Sequence, residues 1–211
     1  MTALVIETAT AACSAALLDG ARVRAARHEV VGRGHAERLV PMIGEVLAEA
    51  GLARADTILV DCGPGSFTGI RVGLAAARAL GLAWGVPVAG YSALALIAAQ
   101  LGEDAADERE AQVGVAIPGG HGELFVQRFA RRPVLAALTP VRSLPPAEAA
   151  AAVPDALVLG AGAAALIAAR GQGEARDSLP DAAQAWRLPP ALATLAPSPL
   201  YGRAPDAALP R

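Results

Sequence analysis

The chain has 211 residues, of which 54% are hydrophobic but only 3% aromatic, so it is long enough for one large domain or two joined lobes with a core of small aliphatic side chains. Its net charge of −2 argues against a body that holds nucleic acid by phosphate neutralisation on its own. Every basic residue is arginine and lysine is absent, which removes lysine chemistry altogether.

The opening segment ALVIETATAACSAALLDGARVRAARHEV alternates short aliphatic runs with turn signals at residues 8 to 12 and at Asp19-Gly20. That pattern predicts a three-strand meander. The absence of a basic leader, with an acidic residue already at Glu7, speaks against a secretory signal. After the GRG of residues 32 to 34, Leu39, Met42, Ile43, Val46, Leu47 and Ala50 recur at helical spacing, with Gly51 placed as a C-cap. An amphipathic helix over 35 to 50 is expected.

TILVDCG reads as a buried strand, followed by the turn GPGSFTG and a helix from Phe67 to Trp84. A strand around VPVAGYS and a helix through ALALIAAQL complete the first half. The long uncharged stretch from Ala79 to Gly102 is broken by Gly81, Gly85, Pro87 and Gly90, so helix, turn and strand explain it better than a membrane span. The acidic run GEDAADERE marks a connector between lobes, giving a first lobe over 1–102 and a smaller second lobe with tail over 111–211.

Beyond the connector come three strand-like segments, QVGVAIPGG, ELFVQRFA and PVLAALTPVR, then the helix PPAEAAAAV, the strand ALVLGAG and the helix AAALIAARG. The order strand, strand, strand, helix, strand, helix thus occurs twice, as two related lobes require. One further helix is expected after Asp181, followed by a tail.

The turn GPGSFTG poses the chemical question. A phosphate-binding P-loop needs a lysine that this chain does not have, and Gly63, Gly65 and Gly69 miss the dinucleotide spacing G-x-G-x-x-G. An anion or nucleotide site at the N-terminus of the following helix stays open, with Glu7, Thr8, Ser66 and Thr68 as candidates. Against it stands a packing reading: Gly69, Gly73, Ala77, Gly81 and Gly85 recur every four residues, a bare stripe that lets another backbone of this chain or a partner come close.

Other chemistry is thinly supported. Cys13 and Cys62 are far apart and lack metal or disulfide spacing, so two reduced, buried thiols in a cytoplasmic protein are expected. His28, His35 and His121 show no i, i+4 pair, and PGSFTG is not a nucleophile elbow. No metal, cofactor or catalytic residue is assigned.

The segments LVIETATAACSAALL, HAERLVPMIGEVL and above all DCGPGSFTGIRVGLAAARALGLAWGVPVAGYSAL resemble the bacterial tRNA threonylcarbamoyladenosine biosynthesis family TsaB, also called YeaZ; PLYGRAPDA resembles that family's closing P-x-Y-x-R segment. The resemblance implies an α/β, actin-like (ASKHA) fold with two related lobes, each a mixed sheet flanked by helices. It further implies a non-catalytic subunit that supports the transferase TsaD in making N6-threonylcarbamoyladenosine on tRNA. The ATPase TsaE would join a larger complex, and tRNA would be met only through it.

The catalytic relative carries an H-x-x-x-H metal pair that falls on Ser92 and Leu96 here, so the metal ligands are absent. Two departures stand out: Glu7 occupies a position that is commonly Asp, and IPGGHGELFV keeps only Gly122-Glu123 of the second-lobe motif. In the family the partner contact is a bundle of the first two helices. That mapping makes His35, Leu39, Met42, Ile43, Val46, Ile70, Gly73, Leu74, Ala77, Arg78 and Gly81 the expected interface, for a transferase or for a homodimer when alone. The rival readings are an ASKHA ATPase or phosphotransferase built on the Glu7 site, and a protease.

Overall fold

A computed structural model describes residues 1–101 and 111–200; the acidic connector and the closing GRAPDA segment lie outside these described residues. In the first lobe, β1 (Thr2–Glu7), β2 (Ala12–Asp19) and β3 (Arg22–Val30) form the expected meander. Then follow α1 (His35–Ala50), β4 (Thr57–Asp61), α2 (Phe67–Trp84), β5 (Val88–Tyr91) and α3 (Ala93–Gln100). The sheet order is β3-β2-β1-β4-β5, with β1, β4 and β5 parallel and the first three strands antiparallel.

The second lobe contains β6 (Gln112–Pro118), β7 (Leu124–Ala130), β8 (Ala136–Ala137), β9 (Arg142–Leu144), α4 (Pro146–Ala152), β10 (Leu157–Leu159), α5 (Ala163–Arg170) and β11 (Glu174–Arg176). Its order β11-β10-β6-β7-β8, with β9 also on β7, repeats the first sheet position by position. Both lobes therefore have the actin-like arrangement, a mixed sheet whose crossover helices lie on one face.

The predicted third strand of this lobe is split. Pro140 cannot donate to a ladder, and Thr139 beside it uses its hydroxyl to accept from Arg128 N at 3.0 Å and its carbonyl to accept from Gln127 at 2.9 Å. The helix expected after Asp181 is two short 3-10 turns, Ala182–Arg187 and Pro190–Leu192, separated at Pro189. β11, an exposed edge strand of sequence EAR, carries no apolar alternation and was not expected.

Strand alternation sorts the core into layers. Leu4 and Ile6 of β1 face α1 and α2 in a cluster with Leu39, Met42, Val46, Ile58, Val60, Ile70 and Leu74. Val5 points the other way, into a cluster with α3, the 182–188 turns and Val113, Val115, Ile117 and Phe129 of the second sheet. A third cluster seats α4 and α5 against Ala116, Val126 and Val158. Helix α3 is apolar all round because it is packed between the two sheets, with Leu94, Leu96 and Ile97 fully buried.

The chain then returns to the first lobe, although it was expected to belong to the second lobe to its end. Ser14 accepts from Ala182 N at 3.0 Å. Gly90 and Leu195 exchange two backbone bonds, and Leu200 N donates to the Cys62 carbonyl at 2.7 Å.

On the surface, Arg38 of α1 makes a bidentate pair with Glu29 of β3 and a second bridge to Glu45, while Arg27 bridges Glu49. These pairs are solvent-accessible and screened. Arg38→Ala is expected to lower the melting temperature only slightly, by an amount that shrinks further at high salt in a thermal melt.

Candidate functional site

The glycine-rich turn and the β1–β2 turn form one structure. Ser66 N donates to the Ala9 carbonyl at 2.6 Å, and the Thr8 hydroxyl donates to the Gly69 carbonyl at 2.8 Å. Ser66 caps α2 by accepting from Gly69 N at 3.2 Å. A Cβ at Gly65 or Gly69 would overlap the backbone carbonyl of Ala9 or Thr8, and one at Gly73 would overlap the Thr8 hydroxyl. Further along the stripe, a Cβ at Gly81 would overlap the Val88 side chain. The close neighbour that the bare stripe admits is this chain's own first sheet and its turn.

Helix α1 is tied to the same turn from the other side. Its N-cap, Gly34, offers no side chain, and the buried His35 ring instead donates through Nε2 to the carbonyls of Thr10 and Ala12, 2.9 and 3.1 Å away. Val31 N and Gly32 N both donate to Ala11 O. The short TATAA turn thus locates both helix N-termini.

These contacts bear on the residues expected at the interface. His35, Leu39, Met42, Ile43, Val46, Ile70, Gly73, Leu74, Ala77 and Gly81 are all buried against the first sheet. Arg78 is exposed, and it donates to the Pro197 carbonyl at 2.5 Å. Apolar periodicity marks the face that the chain buries within itself, and that face is occupied. The outward face is different: α1 presents Ala36, Val40, Gly44 and Ala48 at a spacing of four, and α2 presents Phe67, Arg71, Ala75, Ala79 and Leu82. Val40 is 65% exposed, Phe67 56% and Leu82 88%. Arg71 stacks on the Phe67 ring at 3.6 Å.

The anion or nucleotide candidates are not brought together on a surface. Glu7 and Thr8 are completely buried, whereas Ser66 and Thr68 are exposed. The Gly69 N–H at the helix start is already occupied by Ser66. Glu7 instead faces inward, accepting from Ala9 N at 2.9 Å and lying 3.1 Å from the Tyr91 hydroxyl. The four residues expected to form an anion site are thus divided, two buried and two exposed, with β1's last side chain directed inward.

What sequence reasoning missed is the company Glu7 keeps. The parallel strands β1, β4 and β5 end side by side, which brings Glu7, Asp61 and Tyr91 together, each fully buried. Asp61 accepts from Gly63 N at 2.8 Å through Oδ1. Burial, then the charge of Asp61, holds the Glu7 carboxyl well above the usual carboxylate range. Burial likewise pushes Asp61 up to about 7, against the Gly63 N–H bond. The only sequence signal was an acidic residue ending each of two aliphatic strands.

The other candidate ligands are dispersed. Ser92 stands at the N-cap of α3 and Leu96 is fully buried within it. His28 lies 3.8 Å from Asp181, and His121 occupies a left-handed turn with φ 61°. Cys13 and Cys62 are both buried, and burial pushes each thiol up to about 11. Among the described residues no group of three or more His, Cys, Asp or Glu converges, and no helix is long and apolar enough to cross a membrane.

Comparison with known proteins fits this geometry. The sequence model of the family described as "TsaD: tRNA N6-adenosine threonylcarbamoyltransferase" matches residues 27–136. The tRNA threonylcarbamoyladenosine biosynthesis protein TsaB of Escherichia coli is 39% identical over 100 residues, covering 46% of this chain and 43% of that protein. The Haemophilus influenzae TsaB is 35% identical over 142 residues, 64% of this chain and 56% of its own. The chain spans about half the length of the curated relatives it matches.

Solved structures match over more of the fold. YeaZ from Pseudomonas aeruginosa is 32% identical, with a TM-score of 0.74 over 89% of each chain. A second Pseudomonas aeruginosa structure, described as an uncharacterized protein with similarity to peptidase YEAZ, is 29% identical, with a TM-score of 0.78 over 96% of this chain and 99% of the other. With half of its length under the TsaD model and nearly all of its fold shared with YeaZ, the chain belongs to the TsaD family, in its TsaB/YeaZ branch.

Proposed function

We propose that this protein is a non-catalytic subunit of the machinery that makes N6-threonylcarbamoyladenosine on tRNA. It binds a TsaD-like transferase through the outward face of α1 and α2. A TsaE-like ATPase joins the larger complex, tRNA is engaged only within it, and the same face closes a homodimer when the transferase is missing.

The observation that carries the reading is the outward stripe Ala36, Val40, Gly44 and Ala48 beside the exposed Phe67 and Leu82. A helix face of that kind admits a partner helix at close range, since a bare Gly44 leaves open space where a side chain would stand. Large apolar side chains left exposed on two neighbouring helices, as Val40, Phe67 and Leu82 are, support an interaction surface. The ATPase reading loses its support with Glu7 turned inward, and the substitution of Ser92 and Leu96 for metal ligands supports a supporting rather than a catalytic subunit.

Sedimentation of the purified protein with and without its cognate transferase tests this. The expected result is a dimer alone that is replaced by a heterodimer on mixing. A chain that stays monomeric alone and ignores the transferase would overturn the proposal. Calorimetry with ATP and magnesium checks the rival: heat of binding by the isolated chain, abolished by Glu7→Ala, would favour an ATPase.

A further inference from the structure

The end of the first sheet holds two carboxyl groups and too few protons. Tyr91 has one hydroxyl proton and two acceptors in reach, the Ile6 carbonyl at 3.0 Å and Glu7 Oε2 at 3.1 Å. Ala9 N serves Glu7 Oε1 and Gly63 N serves Asp61 Oδ1. Asp61 Oδ2 is buried without a hydrogen bond of good geometry, although the backbone N–H groups of Ala93 and Cys62 also act on this carboxyl. A fully buried carboxylate oxygen without a partner is costly, and one additional proton removes the deficit. Shared between the Glu7 and Asp61 carboxyls, which interact directly at the ends of adjacent strands, it supplies the missing donor while Tyr91 donates to Ile6.

We infer that Glu7 and Asp61 share a single retained proton in the folded protein, and that this proton holds the two turns on which the N-termini of α1 and α2 are seated. Glu7 holds the Thr8–Ala12 turn through Ala9, and Asp61 holds the GPGSFTG turn through Gly63. Loss of the proton leaves two negative charges side by side in a low-dielectric interior, where their repulsion is strong.

The surrounding ionisable groups do not supply a counter-charge. Tyr91 faces the pair from β5, while Cys13 from β2 and Cys62 beyond β4 feel the charges of Glu7 and Asp61 respectively. The guanidiniums acting on those thiols are Arg38 and Arg78, and these are bonded to Glu29 with Glu45 and to the Pro197 carbonyl. Both carboxyls are raised by burial, so their contribution is complete below the ordinary carboxylate range and is lost as pH rises through about 7 and beyond.

Three measurements test the proton itself. An infrared spectrum at neutral pH is expected to show a protonated carboxylic acid that disappears in Glu7→Gln. The denaturation midpoint of the parent is expected to fall as pH rises from the ordinary carboxylate range through about 7, and that of Glu7→Gln to stay flat, because its amide donates permanently to Asp61. Asp61→Asn is the second single variant, tolerated for the same reason with the donor on the other side. The double variant Glu7→Gln/Asp61→Asn sets two amide donors against each other, and its midpoint is expected to fall by more than the sum of the singles. A parent spectrum without a protonated acid, or a double variant no worse than that sum, overturns the inference.

The coupling to docking rests on the proposed function and has its own readout. Transferase affinity is expected to weaken with rising pH for the parent and not for Glu7→Gln. Equal pH dependence in both, with the acid band present, would remove the coupling and leave the proton standing.

Discussion

Replacing Gly69 by valine is expected to cost the first lobe about 3 kcal/mol or more, the upper range for an overpacked core, out of a typical total of about 5–15 kcal/mol. The Cβ would overlap the Thr8 carbonyl oxygen, which is backbone and cannot swing aside. Gly73→Val is the companion case: it meets the Thr8 hydroxyl, whose bond to the Gly69 carbonyl would break. Urea denaturation followed by circular dichroism measures both. A bulky residue at Gly73 or Ala77 is therefore expected to loosen the helix seat and so to weaken the proposed partner binding without touching the partner. Unaltered stability in Gly69→Val would show that α2 does not rest on the turn as described.

The opposite behaviour is expected on the outward face. Val40→Glu and Leu82→Glu alter side chains that are 65% and 88% exposed, so the melting temperature should stay within the small range typical of surface changes. Each should nevertheless cost about 2 kcal/mol or more of transferase affinity, the threshold of an interface hot spot, which is a loss of roughly 30-fold in Kd. The pair of experiments separates the two faces of these helices: the inner stripe, which packs on the first sheet, and the outer face, which is proposed to meet the partner. Titration calorimetry with the melting temperature as control decides it, and the result would go against the assignment if affinity fell only in variants that also melt early.

The elements that sequence made legible were those with a strong period. Leu39, Met42, Ile43 and Val46 marked α1, Gly51 and Gly85 marked helix ends with left-handed geometry, and the first meander stood out as short aliphatic runs separated by turn residues. The twice-repeated order became two sheets of the same topology. Short edge pieces escaped, because EAR of β11 and the split β8 and β9 bury little and carry no alternation.

For the site, periodicity misled in an instructive way. It finds the face of a helix that is buried, and in α1 and α2 that face is consumed by the first sheet. The proposed docking face is marked only by what remains outside, where Val40 and Leu82 are exposed. Glu7 stood out in the sequence as an acid ending an aliphatic strand, yet its neighbour Asp61 is fifty-four positions away and reached only through parallel strand pairing.

Side-chain footprinting of the protein, alone and with its cognate transferase, tests the central claim most directly. The expected result is that modification of Val40, Phe67 and Leu82 falls sharply in the complex, while the exposed Val134, Leu138 and Trp186, which lie outside α1 and α2, are modified as before. A complex that leaves Leu82 as reactive as in the free protein and shields Val134 or Trp186 instead would contradict it.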